Sequence, residues 1–388
     1  MYPVLYSGFD SLDIAFKGAF SPSVLAALET ARLAAEVTEK DHPAQLGLKA
    51  LPVLVKATGR RGGFRYVFDN GPTGAIFAAK ANSSQTDWNL FVSLRAACLL
   101  TRGYEGAKAW LHETLQGMEF RVATVSVNRF DYAIDILASD FTLNIANFLA
   151  PGQAKARAYW SDDASSSMDA NTPKAILRGR QYESATIGSM PNRQVILYDK
   201  RREAIDKNNL HWFEAWKVDR HDPSARIWRV EIRAGRDALA KLMPFRTYEA
   251  IEAHAKPFLI KAASDIRYLD GSADQSNISR IPSHRIWQTV QETLDDLLTN
   301  TPPALLEPRA LEIMRLQKQE MALMQGFGNL INYLILKGVS PDEVAAEFRP
   351  RIDRAAATYE LEVGRDGIRT KAVETEARLA FLKRPAKK

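Results

Sequence analysis

Three short stretches of this chain alternate too regularly to be anything but strands with one apolar side. In NRFDYAIDI, Phe130, Tyr132, Ile134 and Ile136 share one side, with Arg129, Asp131, Ala133 and Asp135 on the other. WRVEIR sets Trp228, Val230 and Ile232 against Arg229, Glu231 and Arg233. VILYDK sets Val195 and Leu197 against Ile196, Tyr198 and Lys200. Successive side chains of a strand point to opposite faces. If these strands lie in one sheet over a common core, Tyr198, Asp131, Asp135 and Glu231 project to one side among arginines. Gathered carboxylates repel one another unless cations or a metal compensate them, and hard oxygen donors suit Mg²⁺ or Mn²⁺. An antiparallel sheet with one solvated face also alternates Arg with Asp and Glu. Periodicity leaves both readings open.

The surroundings predict an α+β fold: a largely antiparallel catalytic core with flanking helices, then a mainly helical C-terminal region. Residues 1–45 read as an N-terminal helical segment, because SPSVLAALETARLAAEVTEK has helical spacing and Ser21 or Ser23 as a cap. Residues 46–245 read as the core domain. ALPVLVKAT, GFRYVFDN, GAIFAAKA and WNLFVSL are strand-like runs, and DNGPTG is a turn. A helix is expected over about Gly106 to Gln116. ATIGS, RQVILYDKR and ARIWRVEIRAG continue the strands, with GRDALAKLM a helix and SSSMDANTP (Ser165–Pro173) a loop. Residues 246–300 read as a helical extension, broken at TNTPPALLEP, where adjacent prolines resist helix. Residues 301–388 form the last region. There Ser340, Pro341 and Glu343 match a helix N-cap, N1 proline and capping-box glutamate, and FLKRPAKK is a basic tail.

The order NRFDYAIDI, ATIGS, ILYDKRRE, WRVEIR resembles the replication initiation factors of rolling-circle plasmids, the Rep_trans type. Relaxases of some integrative conjugative elements are similar. The matching features run from about Leu51 to Ala240, roughly half the chain. The resemblance implies a sequence-specific DNA-binding endonuclease whose tyrosine attacks an origin, leaving a 5′-phosphotyrosine and a free 3′-hydroxyl. By that resemblance Tyr198 matches the catalytic tyrosine of a Y-[DEN]-K segment. Asp131 and Asp135 (R-x-D-x-x-x-D), Glu203 and Glu231 (R-x-E) match the carboxylates, and Gly188 and Ser189 match the Gly-Ser before the tyrosine strand. Ile196 and Met190 stand where the family often has arginine. The resemblance implies DNA as partner, with a helicase and polymerase supplied by the host, and a homodimer. A conjugative relaxase, or a DNA-binding initiator or regulator without cleavage, are the alternatives.

The expected chemistry follows. A tyrosine with its ordinary pKa near 10 needs a base or a metal to take its proton. Arg129, Lys200, Arg201, Arg202, Arg229 and Arg233 are the candidate DNA and phosphate contacts. Glu203 lies opposite Tyr198 in strict alternation, so it joins the site only if the chain turns just after the tyrosine. Residues 174–236 hold fourteen Lys and Arg against eight Asp and Glu. Their +6 excess equals that of the whole chain, so the basic charge gathers around this segment.

Rival chemistries find little footing. The six histidines are scattered, with neither a His-x-His pair nor an HExxH, and no GxxxxGK[ST] phosphate loop is present. His211 and His221 read as surface or half-buried residues. Trp212 and Trp216, four apart, read as a helix packing face. Cys98 stands alone, which removes intramolecular disulfides and thiolate zinc sites and fits a reducing compartment. No run approaches eighteen apolar residues and the first residues lack a signal-peptide pattern, so a cytoplasmic protein without a membrane span is expected.

Overall fold

A computed structural model of the chain describes residues 1–81, 86–151, 175–178, 181–243, 246–271, 281–296 and 302–382. The loop expected at Ser165–Pro173 and most of the basic tail lie outside the described residues. The first elements are β1 (Val4–Phe20), α1 (Pro22–Thr38), β2 (His42–Leu46), β3 (Leu51–Val55), β4 (Tyr66–Asp69), β5 (Ala75–Ala79) and β6 (Trp88–Leu94). Then come α2 (Ala96–Gly117), β7 (Phe120–Leu137), β8 (Phe148–Leu149), β9 (Ala175–Arg178), β10 (Gln181–Gly188) and β11 (Arg193–Asp199). They are followed by α3 (Lys200–Asp206), α4 (His211–Trp216), β12 (Ile227–Ala234), α5 (Arg236–Leu242) and α6 (Tyr248–Asp265). The last are β13 (Arg267–Tyr268), α7 (Arg285–Asp295), α8 (Glu307–Leu336) and α9 (Val344–Arg378).

The fold is α+β. Among the described residues eleven strands make one antiparallel sheet in the order β2-β3-β4-β5-β6-β1-β7-β12-β11-β10-β9. Its apolar side carries the main core. Phe130, Tyr132, Ile134, Ile136, Val195, Leu197, Trp228, Val230 and Ile232 are all buried there, as the alternation requires. Helix α1 lays Val24, Leu28 and Ala31 on the same side, and α2 contributes Cys98, Leu99, Leu111 and Leu115. Burying one fully exposed leucine-sized side chain contributes about 1.5–3 kcal/mol, so this face is the main source of stability. Helix α1 starts as expected, with Ser21 as N-cap accepting from the Val24 amide at 3.4 Å.

One expectation needs correcting at the N-terminus. The residues before α1 are not part of a helical segment: β1 is a seventeen-residue strand at the middle of the sheet, between β6 and β7. Its alternation is hidden because extra residues at Leu5, between Val4 and Tyr6, and at Asp10, between Phe9 and Ser11, interrupt the phase. Such bulges bend a strand and re-aim its side chains.

The chain divides into two compact units, residues 1–310 and 311–388, and residues 45/46, 245/246 and 300/301 all fall inside the first. In the second unit α8 and α9 meet through Phe327 and Phe348, whose rings are 5.6 Å apart. Before α9 the expected capping box is not formed: Glu343, not Ser340, is the N-cap, and the Ser340 hydroxyl donates to the Glu343 carboxylate at 2.8 Å instead of accepting a helix amide. Among the described residues no helix is long and apolar enough to cross a membrane.

Candidate active site

The other side of the sheet is where the alternating polar residues meet. Strand β12 lies between β7 and β11, with Arg229 opposite Asp135, Glu231 opposite Ala133 and Arg233 opposite Asp131. On its other edge Tyr198 pairs with Arg229 and Ile196 with Glu231. Tyr198, Glu231 and Asp131 therefore occupy neighbouring positions on three adjacent strands.

Tyr198 Oη donates to Glu231 Oε2 at 3.2 Å. Arg233 Nε donates to Glu231 Oε1 at 2.6 Å, and its Nη1 reaches Gln194 Oε1 at 3.2 Å. Arg129 forks onto Asp131, with Nε donating to Oδ1 at 2.8 Å and the second nitrogen to Oδ2. Both carboxylates are 2 % exposed, whereas the two guanidinium side chains are 29 % and 27 % exposed. The acids thus lie at the floor and the arginines between them and solvent. Burial pushes the Asp131 carboxyl up to about 7, against the pull of Arg129 and with Glu231 adding to the rise. The Tyr198 hydroxyl is raised well above its ordinary value, first by burial and then by the Glu231 charge, with Arg229 opposing.

The chain does turn after the tyrosine. Asp199 ends β11 and caps α3, its Oδ1 accepting from the Arg202 amide at 2.8 Å. That reversal brings Lys200 and Glu203 to the tyrosine's side of the sheet. Lys200 Nζ lies 5.8 Å from the Tyr198 ring centre and 2.6 Å from Glu203 Oε2. Burial and Arg229 lower the Lys200 pKa. Glu203 also meets Lys207 at 3.0 Å. Arg201 donates to the Arg220 carbonyl, and the exposed Arg202 pairs with Asp206.

Two sequence expectations are corrected by depth. Arg229 does not face a phosphate: its side chain is wholly buried, donating to Asp135 Oδ1 at 2.5 Å and Oδ2 at 2.8 Å and to Asp10 Oδ1 at 2.6 Å. Asp135 is wholly buried too, and its Oδ2 accepts a third bond from Trp216 Nε1 at 2.8 Å. The cause is α4, whose Trp212 and Trp216 cover this end of the polar face, with the Trp212 ring 4.3 Å from the Arg229 guanidinium. The tryptophans stack on each other at 5.8 Å between centres, the packing face their spacing predicts.

Three residues not among the expected site residues belong to the same neighbourhood. Asp10 sits at the bulge between Phe9 and Ser11, which turns it toward Arg229. Burial would raise its pKa, but Arg229 and Lys200 outweigh that and lower it. Gln194 stands beside Arg233. His211, expected at the surface or half-buried, is buried, and its Nδ1 has no hydrogen-bond partner among the described residues. Burial, and then Lys200, lowers its pKa to about 4. The signal for Asp10 was the pair of aspartates in FDSLDIAF, but no regular period joined it to the other strands.

As arranged, Asp131, Asp135, Glu231 and Glu203 do not fit a divalent cation as a joint donor set. Each is held by its own Arg or Lys, and among the described residues no group of three His, Cys, Asp or Glu is placed to hold a metal. What the arrangement offers is a tyrosine hydroxyl against a carboxylate, next to half-exposed guanidinium groups.

No family model matches the chain, and no curated protein sequence matches it. Among solved structures it is similar to a rolling circle replication initiator protein from Geobacillus stearothermophilus. The TM-score is 0.38 and the identity 14%, over 76% of this chain and 98% of that one. A likeness at that score fixes neither fold nor function.

Proposed function

We propose that this chain is a DNA strand-transferase that nicks one strand through Tyr198 and so initiates rolling-circle replication. The observation that carries the reading is the Tyr198 Oη–Glu231 Oε2 hydrogen bond of 3.2 Å, on a face walled by Arg129 and Arg233. The resemblance of NRFDYAIDI, ILYDKRRE and WRVEIR to the Rep_trans initiators supports the same assignment.

In this reading Tyr198 Oη attacks the phosphorus as its proton passes to Glu231. The P–O3′ bond breaks, the 3′-oxygen takes a proton from solvent water, and a 5′-phosphotyrosine forms. The phosphodiester energy stays in the new link, so the reverse reaction rejoins the strand. The raised Tyr198 pKa means the resting hydroxyl is protonated, which makes an adjacent base a requirement. Arg129 and Arg233 then share charge with the phosphate oxygens, while buried Arg229 offsets charge on the phenolate from below. Mg²⁺ or Mn²⁺ belongs to the proposal as an additive to be tested, and no step is assigned to it.

The test is incubation of the protein with supercoiled DNA carrying the cognate origin, with and without Mg²⁺ or Mn²⁺. Relaxed circles and an SDS-stable protein–DNA adduct are expected, and both disappear in Tyr198→Phe. An adduct that persists in that variant sinks the assignment.

A further inference from the structure

The polar side of the sheet does not stop at the tyrosine. Beyond Arg129 the next strand contributes Asp13, opposite Arg129 on β7 and opposite Ser93 on β6. Ser93 donates to the Asp13 carboxylate. Burial raises that carboxyl, and Ser93, Arg129 and Arg60 pull it back. A line of neighbouring groups therefore runs from Tyr198 through Glu231, Arg233, Asp131, Arg129 and Asp13 to Arg60.

At the end of that line the surface changes character. Register pairs Ala15 with Phe91 and Lys17 with Trp88, so both aromatics lie on the same side as Asp13. Lys17 Nζ sits 5.1 Å from the Trp88 ring centre. The Arg60 guanidinium sits 4.6 Å from the Phe91 ring centre, and Lys80 Nζ 5.7 Å from that of Phe64. The Phe64 and Phe91 rings are 6.4 Å apart. Trp88 is 37% exposed, Arg60 is exposed, and the other four are half-buried. Among the described residues Lys17, Arg60 and Lys80 form no ion pair. The cations therefore keep their charge for a ligand, and large aromatic faces stand beside them at the surface.

We propose that this face of β1 and β6 with the β3–β4 connection beside it, where Trp88, Phe91 and Phe64 are interleaved by Lys17, Arg60 and Lys80, is a stacking platform for single-stranded DNA. It rests on the nucleophile reading of Tyr198 for which strand it holds, namely the one that leads to or from the cleaved phosphate. Every base has a π-face, so aromatics bind a single strand with little sequence preference while cations track its backbone. Four strand spacings of about 4.8 Å, roughly 19 Å, separate β11 from β6 across the sheet. Along the strands, Tyr198 is level with Asp135 and Phe91 with Ser126 on β7, an offset of about 30 Å at roughly 3.3 Å per residue. A strand laid along this face is gripped by charge at Arg129 and Arg233 and by stacking beyond Asp13. A duplex presents no base faces to such a surface.

The experiment uses the full chain carrying Tyr198→Phe and an oligothymidylate of about 16 nucleotides, with the matching duplex and RNA as controls, read by fluorescence anisotropy. Trp88→Ala is expected to weaken oligothymidylate binding by about tenfold, Trp88→Phe to restore it, and neither to change duplex binding. The Lys17→Ala/Arg60→Ala double variant is expected to lower the slope of log K against log salt by about 1.4. Unchanged oligothymidylate affinity in both variants overturns the platform. So does tighter binding of the RNA, or a change in oligomeric state on Trp88→Ala without loss of DNA affinity. A wild-type chain that fails to nick while Trp88→Ala still costs DNA affinity removes the nucleophile reading and leaves the platform standing.

Discussion

Tyr198 and Glu231 come from strands thirty-three residues apart and meet as hydroxyl and carboxylate at 3.2 Å. The contact crosses diagonally, because the register partner of Tyr198 is Arg229 and that of Glu231 is Ile196. Replacing Glu231 by Gln keeps the size and one hydrogen-bonding oxygen but removes the base. Adduct formation should then fall by about 10²–10⁴-fold, with origin binding retained. Single-turnover adduct yields on SDS gels check this, and a variant as fast as the parent excludes Glu231 as proton acceptor.

Arg229 is a structural cation. Its removal leaves Asp135 buried beside Asp10 with no guanidinium between them. Arg229→Met is expected to destabilise unit 1 by about 3–5 kcal/mol, measured as a shift in urea midpoint. Asp10→Asn, at the more exposed end of the network, should cost less. An Arg229→Met protein as stable as the parent would show that the buried ions are dispensable.

His211 sets an acid limit on stability. Its folded pKa is about 4 against an ordinary 6.5. Between those values the unfolded chain binds a proton that the folded chain does not, so stability rises with pH. It is fully present above about 6.5 and is lost as pH falls toward 4, by up to about 3 kcal/mol from this group. His211→Gln should flatten that limb in denaturation curves taken at successive pH values. An unchanged slope would assign the acid limb to other groups.

Gly188 holds the turn that feeds the tyrosine strand. Its φ is +85°, and a Cβ there would meet the Arg193 carbonyl oxygen at 2.3 Å. Gly188→Ala combines a left-handed backbone with a clash against main chain, and should cost about 1–3 kcal/mol. Because β11 follows at once, adduct yield should fall as well. Thermal denaturation read beside the nicking assay separates the two effects.

The strands around the tyrosine were legible because their sequence period is strict: apolar Phe130, Tyr132, Ile134 and Ile136 alternate with Asp131, Ala133 and Asp135, and Trp228, Val230 and Ile232 with Arg229 and Glu231. The same period carries no information about depth. It placed Arg229 and Asp135 on the polar side correctly, yet gave no sign that His211–Trp216 would fold over them. Glu203 was undecidable from alternation, since the answer lay in Asp199 acting as a cap rather than as a strand residue. Strand β1 escaped because Ser7, Gly8, Asp10, Ser11 and Asp13 dilute its apolar pattern and two extra residues, Leu5 and Asp10, break its phase. The residues that bulging re-aims, Asp10 above all, are those that a periodic reading loses.

The central place of β1 also bears on how the chain assembles during synthesis. Strand β1 can pair with β6 only after some eighty further residues are made, as in the register of Leu12 with Leu94. Its other edge stays open until β7 emerges, and only then can β12 and β11 be added outward. Such distant pairings close long loops and are slow to form. Strands β9, β10 and β11 can pair with one another locally, but β12, which joins them to β7, is made after all of them. A ribosome-bound chain ending before β7 would carry an exposed strand edge, and a nascent chain would acquire its tyrosine site last among the parts of the sheet.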